Sequence, residues 1–225
     1  MPGYQTKQET VPVAGVAGLK IRSLLDQRQF ADPEGAAARA GISAAAWPMF
    51  GLLWPSGAHL AARMARRSLR PGERILEVGC GLGLASLVGH RRGADVTASD
   101  CHPLAAAFLA HNVALNDLPA LAYCSGEWAL QDLPPADAVR DRFELIMGSD
   151  VLYERDAAAA LAGFIERHAT ACSEVWIVDP NRGNRPAFTR RMCAQGYRLD
   201  DQPLFTPATG ALPAYRGHML VYRRG

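Results

Sequence analysis

The chain has 225 residues, of which 49% are hydrophobic and 20% charged, enough for one globular domain with a sizeable core. Its net charge of +2 argues against a general attraction to nucleic acid, and no apolar run is long enough to span a bilayer.

Residues 1–50 read as a small N-terminal extension. Met1 to Thr10 is polar, which excludes a secretory signal, and the apolar run Val11 to Leu19 is broken by Pro12. Val11 to Leu25 is expected to hold two short strands around turns at Gly15 and Gly18. Ala31 to Ala46, with Pro33, Gly35 and Gly41, reads as a loop with a short helix. The five cysteines include no C-x-x-C pair and are odd in number. That pattern points to reduced thiols in a cytoplasmic protein, without a disulfide framework or a metal site.

Two Trp-Pro pairs follow, Trp47-Pro48 and Trp54-Pro55. Proline disfavours helix at the residue before it, so both tryptophans are expected to be extended. Ser56 is expected to cap a helix from Gly57 to about Leu69. Leu60 and Met64 then face the core. Arg63, Arg66, Arg67 and Arg70 share another face, read as a solvated surface.

Arg74 to Gly79 is a buried strand that runs into a glycine turn, Gly79-Cys80-Gly81-Leu82-Gly83. Glycine permits positive φ and close approach of a ligand to the backbone. A helix from about Leu84 would aim its free N–H groups at whatever lies over the turn. Glu77 stands at the carboxyl end of this strand. A second strand, 95–100, ends in Asp100, 21 positions after Gly79, the spacing at which a nucleoside-binding unit sets its ribose acid.

The remaining elements alternate. A helix runs from Pro103 to about Asn116, then a third strand covers Leu121 to Ser125, near Trp128. Leu130 to Val139 is a loop. A fourth strand, Phe143 to Asp150, ends in an acid. A helix face is marked by Ala157, Leu161, Phe164, Ile165 and His168. Glu174 to Val178 is the fifth strand and Asn184 to Gln195 a helix ending at Gly196. Tyr197–Phe205 and His218–Arg223 form an antiparallel pair with a loop at 206–217 between them. The fold class is therefore α/β: a Rossmann-like, doubly wound, seven-stranded, mostly parallel sheet with an antiparallel C-terminal strand. Right-handed crossovers bring Glu77, Asp100 and Asp150 to one rim.

Glu77-Val-Gly-Cys-Gly-Leu-Gly83, Asp100 and this strand order resemble the class I S-adenosylmethionine-dependent methyltransferases, over about residues 50–225. The third glycine agrees. A nicotinamide-binding G-x-G-x-x-G needs it at 84, which is a leucine here. Trp54-Pro-Ser-Gly57, Trp128 and Asp150-Val-Leu-Tyr153 resemble the seven-strand protein-lysine methyltransferases called family 16. Asp179-Pro-Asn-Arg182 resembles the branch that includes the electron-transfer-flavoprotein β-subunit lysine methyltransferase. Residues 51–225 would be the methyltransferase domain, preceded by the extension at 1–50, which could serve as a lid.

The resemblance implies S-adenosyl-L-methionine as cofactor and a set of roles. Glu77 would accept hydrogen bonds near the methionine moiety. Gly79 and Gly81 would let the backbone lie against the cofactor. Asp100 would take both ribose hydroxyls. Trp128 would pack near the adenine and Trp54 would close the pocket. Cys101 and Ser149 join the cofactor set as neighbours, Cys101 through its backbone or packing. Asp150 would orient the incoming amine and Tyr153 would hydrogen-bond it or wall its channel. The activity implied is in-line N-methylation of lysine side chains in a protein, by a monomer, with no membrane or nucleic-acid partner. Asp150-Val-Leu-Tyr153 is not the Asn-Pro-Pro-aromatic motif of base-methylating relatives. Three alternatives stay open: methylation of a small amine or nicotinamide-like heterocycle, a non-catalytic cofactor-binding or docking domain, and, more distantly, an NAD-dependent oxidoreductase.

Overall fold

The glycine turn lies at the carboxyl end of an inner strand of a seven-stranded sheet in the computed structural model, which describes residues 3–129, 135–153, 157–208 and 214–225. Ahead of that sheet come β1 (Thr6–Val13), β2 (Val16–Leu24), a short helix α1 (Ala36–Arg39) and a 3₁₀ turn (Trp47–Gly51). The sheet and its helices are α2 (Pro55–Arg66), β3 (Arg74–Val78), α3 (Leu84–Arg91), β4 (Asp95–Asp100), α4 (Ala105–Leu115), β5 (Ala122–Ser125), β6 (Phe143–Ser149), α5 (Ala157–His168), β7 (Ala169–Asp179), α6 (Arg185–Ala194), β8 (Arg198–Thr206) and β9 (Tyr215–Arg224).

The strand order is β5-β4-β3-β6-β7-β9-β8. The pairs from β5 through β7 are parallel, and β9 runs antiparallel to both neighbours. The chain winds outward from β3 to β5 on one side, then returns to start β6 on the other. That reversal opens a crevice beyond the carboxyl ends of β3, β4 and β6.

The apolar run of each central strand has a direct packing cause. Successive side chains point to opposite faces, and both faces are covered. Ile75, Leu145, Met147 and Val178 pack with Leu60, Met64, Leu87 and Phe108 of the α2, α3 and α4 layer. Leu76, Val78, Ile146 and Ile177 pack with Leu161, Ile165, Phe188 and Met192 of the α5 and α6 layer.

Several sequence expectations are corrected. Trp47 is not extended; it opens the 3₁₀ turn. Its ring is 1% exposed and packed among Tyr4, Phe30, Phe50 and His102, which outweighs the pre-proline preference. Trp54 is extended, and it is Trp54, not Ser56, that occupies the N-cap of α2, with Pro55 in the first turn. The Ser56 hydroxyl turns inward to the Tyr215 hydroxyl, 2.9 Å away. The arginine face is only half solvated. Arg63 and Arg67 lie over the Trp176 ring, 4.6 and 5.2 Å from its centroid, and Arg67 pairs with buried Glu73.

The N-terminal strands are longer than expected, at eight and nine residues, because Gly15 alone makes the turn. Gly18 lies within β2, where a side chain would meet the Val11 carbonyl. β7 begins at Ala169, ahead of the expected Glu174. The C-terminal pair is not simply appended, since β9 inserts between β7 and β8. Of the two expected loops, residues 130–134 and 209–213 lie outside the described residues.

The hairpin is fastened to the sheet domain by two asparagines one turn apart on α4. Asn112 accepts from the Arg22 N–H (2.8 Å) and donates to the Arg22 carbonyl (3.3 Å). Asn116 does the same with Lys20, at 3.0 and 2.8 Å. Two side-chain amides thus take the part of a neighbouring strand along β2. Asn112 is fully buried, so its loss strands the Arg22 amide. Asn112→Ala should cost about 1–3 kcal/mol. Thermal unfolding will read that loss, and hydrogen exchange at Lys20 and Arg22 should quicken more than elsewhere in the chain.

Candidate active site

Gly79, Gly81 and Gly83 all have left-handed backbones, with φ of 59°, 51° and 72°. A Cβ at Gly81 would lie 2.7 Å from the Phe50 carbonyl oxygen, and one at Gly79 would lie 2.9 Å from Val151. The turn is therefore closed in by the 3₁₀ segment on one side and by the loop after β6 on the other. Only glycine satisfies both the φ and the space.

Two acids flank the turn. Glu77 is 4% exposed, and its Oε2 accepts from the Ser86 N–H at 2.8 Å and from the Ser86 hydroxyl. Ser86 lies in the first turn of α3, so this carboxylate meets the positive end of a helix. Burial still pushes its pKa up to about 7, against the pull of the Ser86 hydrogen bonds and with a further push from Asp100.

Asp100 is 8% exposed. Its Oδ2 accepts from the Gly81 N–H and its Oδ1 from the His102 N–H, each at 2.8 Å. Burial raises its pKa above the usual carboxylate range, and these backbone bonds oppose the rise. The His102 ring stacks on Phe50 at 3.7 Å and accepts from the Leu104 N–H at Nδ1. Burial lowers its pKa to about 4, and its Nε2 has no hydrogen-bond partner among the described residues.

The other residues expected at the cofactor site gather on the same rim. Trp128 is half-buried, with ring carbons 3.6 Å from where a Gly79 side chain would begin. Trp54 is 37% exposed, and its indole N–H donates to the Met49 carbonyl at 2.9 Å. That bond ties it to the segment pressed on Gly81. Cys101 is exposed next to Asp100. Ser149 ends β6, with its Oγ 3.6 Å from the Cβ position of Gly57 in α2.

The loop after β6 carries the remaining expected pair. Asp150 has φ 57°, a left-handed conformation that Asp tolerates better than most residues and that turns the chain out of the strand. Its Oδ1 lies 3.3 Å from Arg182 Nη2, and its buried Oδ2 has no partner among the described residues. Tyr153 is 45% exposed beside it.

Sequence reasoning assigned no roles to three neighbours. Asp179, fully buried, accepts from the Arg182 N–H at 2.8 Å through Oδ2, while its Oδ1 is unpartnered. Burial raises its pKa. The Arg182 guanidinium reaches back to Asp150. Tyr215, at the start of β9, closes the group, its phenol pushed up to about 12 by burial. Asp179 and Arg182 were visible as a strand-end motif. Tyr215 had no local signal, because only the fold carries the end of the chain back to β7.

Two surface clefts open at the amino ends of the strands, one lined by Arg70, Glu73, Glu144, Glu174 and Arg223. Their charges pair with each other, as in Arg223–Glu174 at 2.9 Å, and they contain neither the glycine turn nor its acids. The chemistry belongs to the carboxyl rim. That rim offers a glycine cradle, an aromatic ring beside Gly79 and a buried carboxylate. The Asp100 oxygens accept from the Gly81 and His102 N–H groups, and a carboxylate has further acceptor capacity beyond these bonds. Among the described residues no group of His, Cys, Asp and Glu is arranged to hold a metal ion.

A family model described as lysine methyltransferase matches residues 49–188. The chain belongs to that family. Its cofactor class is accordingly S-adenosyl-L-methionine, and the glycine cradle and Asp100 suit it. The electron transfer flavoprotein β-subunit lysine methyltransferase of Danio rerio is 28% identical over 138 residues, 60% of this chain and 51% of the relative. The human histone-arginine methyltransferase METTL23 is 33% identical over 111 residues, 45% and 54% of the two chains. The chain spans about half the length of the curated relatives it matches. Among solved structures, magnesium protoporphyrin IX methyltransferase from Synechocystis PCC 6803, with bound SAM, superposes with a TM-score of 0.55 at 18% identity, covering 76% of this chain and 78% of that one. This likeness shows the shared fold.

Burial of Glu77 has a stability consequence. Its folded pKa of about 7 lies above the unfolded value of about 4.3, so the native state holds a proton that the unfolded chain has already lost. The glutamate therefore withdraws stability as pH rises from about 4.3 to about 7. Glu77→Gln removes that titration and can still accept from Ser86. The melting temperature of the variant relative to the parent should rise from pH 5 to pH 7.5. A difference that is flat across this window would show that burial does not govern Glu77.

Proposed function

We propose that this lysine methyltransferase family member transfers a methyl group to the side-chain amine of lysine in a protein substrate. The observation that carries the reading is Asp150. It holds an unpartnered carboxylate oxygen, on a left-handed turn, next to the loop that covers Gly79. The relatives named as protein lysine methyltransferases support a protein acceptor. So does the openness of the rim. Tyr153 and Arg182 are exposed beside Asp150, while the N-terminal segment lies over the glycine turn instead.

When bound, S-adenosylmethionine supplies a methyl group on a positively charged sulfonium. The chain's own residues bind, orient and exclude water. Gly79 and Gly81 offer a backbone without side chains. Asp100 would accept from the ribose hydroxyls, Trp128 would pack beside the adenine, and Trp54 would close the entrance. Glu77 fixes the start of α3 and offers an acceptor near the methionine end. Cys101 and Ser149 would border the cofactor from the ends of β4 and β6.

The acceptor nitrogen needs a lone pair. Lysine has a pKa of about 10.4, so its ammonium loses a proton to solvent before attack. That lone pair would form the N–C bond as the electrons of the C–S bond leave with sulfur. Asp150 accepts a hydrogen bond from the remaining N–H groups and aims the lone pair, while Tyr153 walls the channel. Asp150 acts as a positioner in this scheme, and no covalent enzyme intermediate is required.

Two substitutions separate cofactor from acceptor. Asp100→Asn should weaken S-adenosylmethionine binding about 10- to 100-fold by calorimetry, the loss of one charged hydrogen-bond network. Asp150→Ala should leave that affinity unchanged and cut labelling of lysine in a cell lysate about 100-fold. Tritium found only in small molecules would overturn the lysine reading.

A further inference from the structure

Arg182 places a fixed positive charge on the acid that is read as the acceptor's partner. Its guanidinium lies 3.3 Å from Asp150 Oδ1, and its main chain is pinned by Asp179 at 2.8 Å. The side chain is 40% exposed, at the mouth of the site. Asp150 Oδ2 is left over, buried and unpartnered among the described residues. The carboxylate is thus divided, with one oxygen held by the chain itself and one free.

That division has two chemical consequences. A guanidinium acceptor grips a carboxylate best with two parallel N–H···O bonds, one to each oxygen. With Oδ1 already occupied, a second guanidinium finds only a single point of contact. An amine needs no more than one. The second consequence is electrostatic. Asp150 alone would favour the protonated ammonium, which cannot attack. A cation beside it offsets that preference and shifts the acceptor toward its neutral form.

We propose that Arg182 is a specificity-determining and positioning residue of the acceptor site: it reserves one oxygen of Asp150, admits an amine in preference to a guanidinium, and helps that amine shed its proton. The inference rests on the lysine reading above.

The surroundings leave this charge effective. Asp150 from the end of β6 and Asp179 from β7 face Arg182 directly. Arg185 at the start of α6 is engaged by Asp201 at 3.1 Å. Tyr215 from β9 stays neutral, its phenol pushed up to about 12 and bonded to Ser56 of α2. His59 of α2 packs on Tyr215, and burial lowers its pKa, so it adds no charge in alkaline solution.

The test uses the full chain, tritiated S-adenosylmethionine and a heat-inactivated cell lysate at saturating concentration, with methylated amino acids resolved after acid hydrolysis. The wild type should form methyl-lysine with a rate that rises with pH. In Arg182→Gln the rising limb should move up by about one pH unit, leaving roughly a tenfold lower rate at pH 7.5. Arg182→Lys should keep the wild-type profile. Thermal unfolding and calorimetric affinity for S-adenosylmethionine should be the same in all three proteins. An unmoved limb in Arg182→Gln, with methyl-lysine formed, overturns the inference alone. Methyl-arginine as the wild-type product, or no methyl-lysine at all, overturns it together with the lysine reading.

Discussion

A buried carboxylate bridging two backbone amides holds this fold's working end together. Asp100 bonds Gly81 on one side and His102 on the other. The first contact fixes the left-handed turn after β3, and the second shapes the chain leaving β4. Both strands are thereby tied to one side chain, next to the point between β3 and β6 where the winding of the sheet reverses. The burial that makes those bonds strong also makes the charge costly, and the raised pKa is the sign of that balance. Replacing Asp100 by an apolar residue would leave both backbone amides without their acceptor in a low-dielectric crevice.

The same crevice is completed by residues far away in sequence. Phe50 lays its carbonyl over Gly81 and stacks its ring on His102, while Val151 packs toward Gly79 from the loop after β6. The hairpin adds little to the crevice directly. Asn112 and Asn116 fix it to α4, and Phe108 of the same helix packs on Phe50, so α4 supports both the sheet and the cover of the turn. This explains why a segment with weak local signals is nevertheless well packed: Leu19, Ile21 and Leu24 of β2 are fully buried.

The sheet was legible because each strand-and-helix unit carries its own evidence. Ile75, Leu76 and Val78 form a run that only a doubly covered strand needs, and Gly79 to Gly83 mark the turn that follows. Asp100 and Asp150 were legible as acids at strand ends, since the crossover rule alone brings them to one rim. The departures have one cause in common, tertiary contacts that override a local preference. Trp47 bends into a 3₁₀ turn to reach an aromatic cluster, and Ser56 gives up capping to bond Tyr215 from 159 residues away. Arg63 and Arg67 read as solvent-facing until Trp176 supplies a surface to cover. The division of Asp150 between Arg182 and a free oxygen could not be read from spacing, because it depends on the turn at Asn181, whose left-handed backbone sends Arg182 back toward β6.

The insertion of β9 between β7 and β8 bears on how the chain is made. Among the described residues β8 pairs with β9 alone, and β9 is also the neighbour that covers the outer edge of β7. During synthesis β3 to β7 can pair as they emerge, but β8 must wait until the residues through Arg224 are available. Until then the edge of β7 is bare, with Val175 to Val178 presented to solvent or to another nascent chain. Emergence of β9 is therefore the step that covers this edge, and a ribosome stalled before it would hold the sheet with one adhesive edge bare.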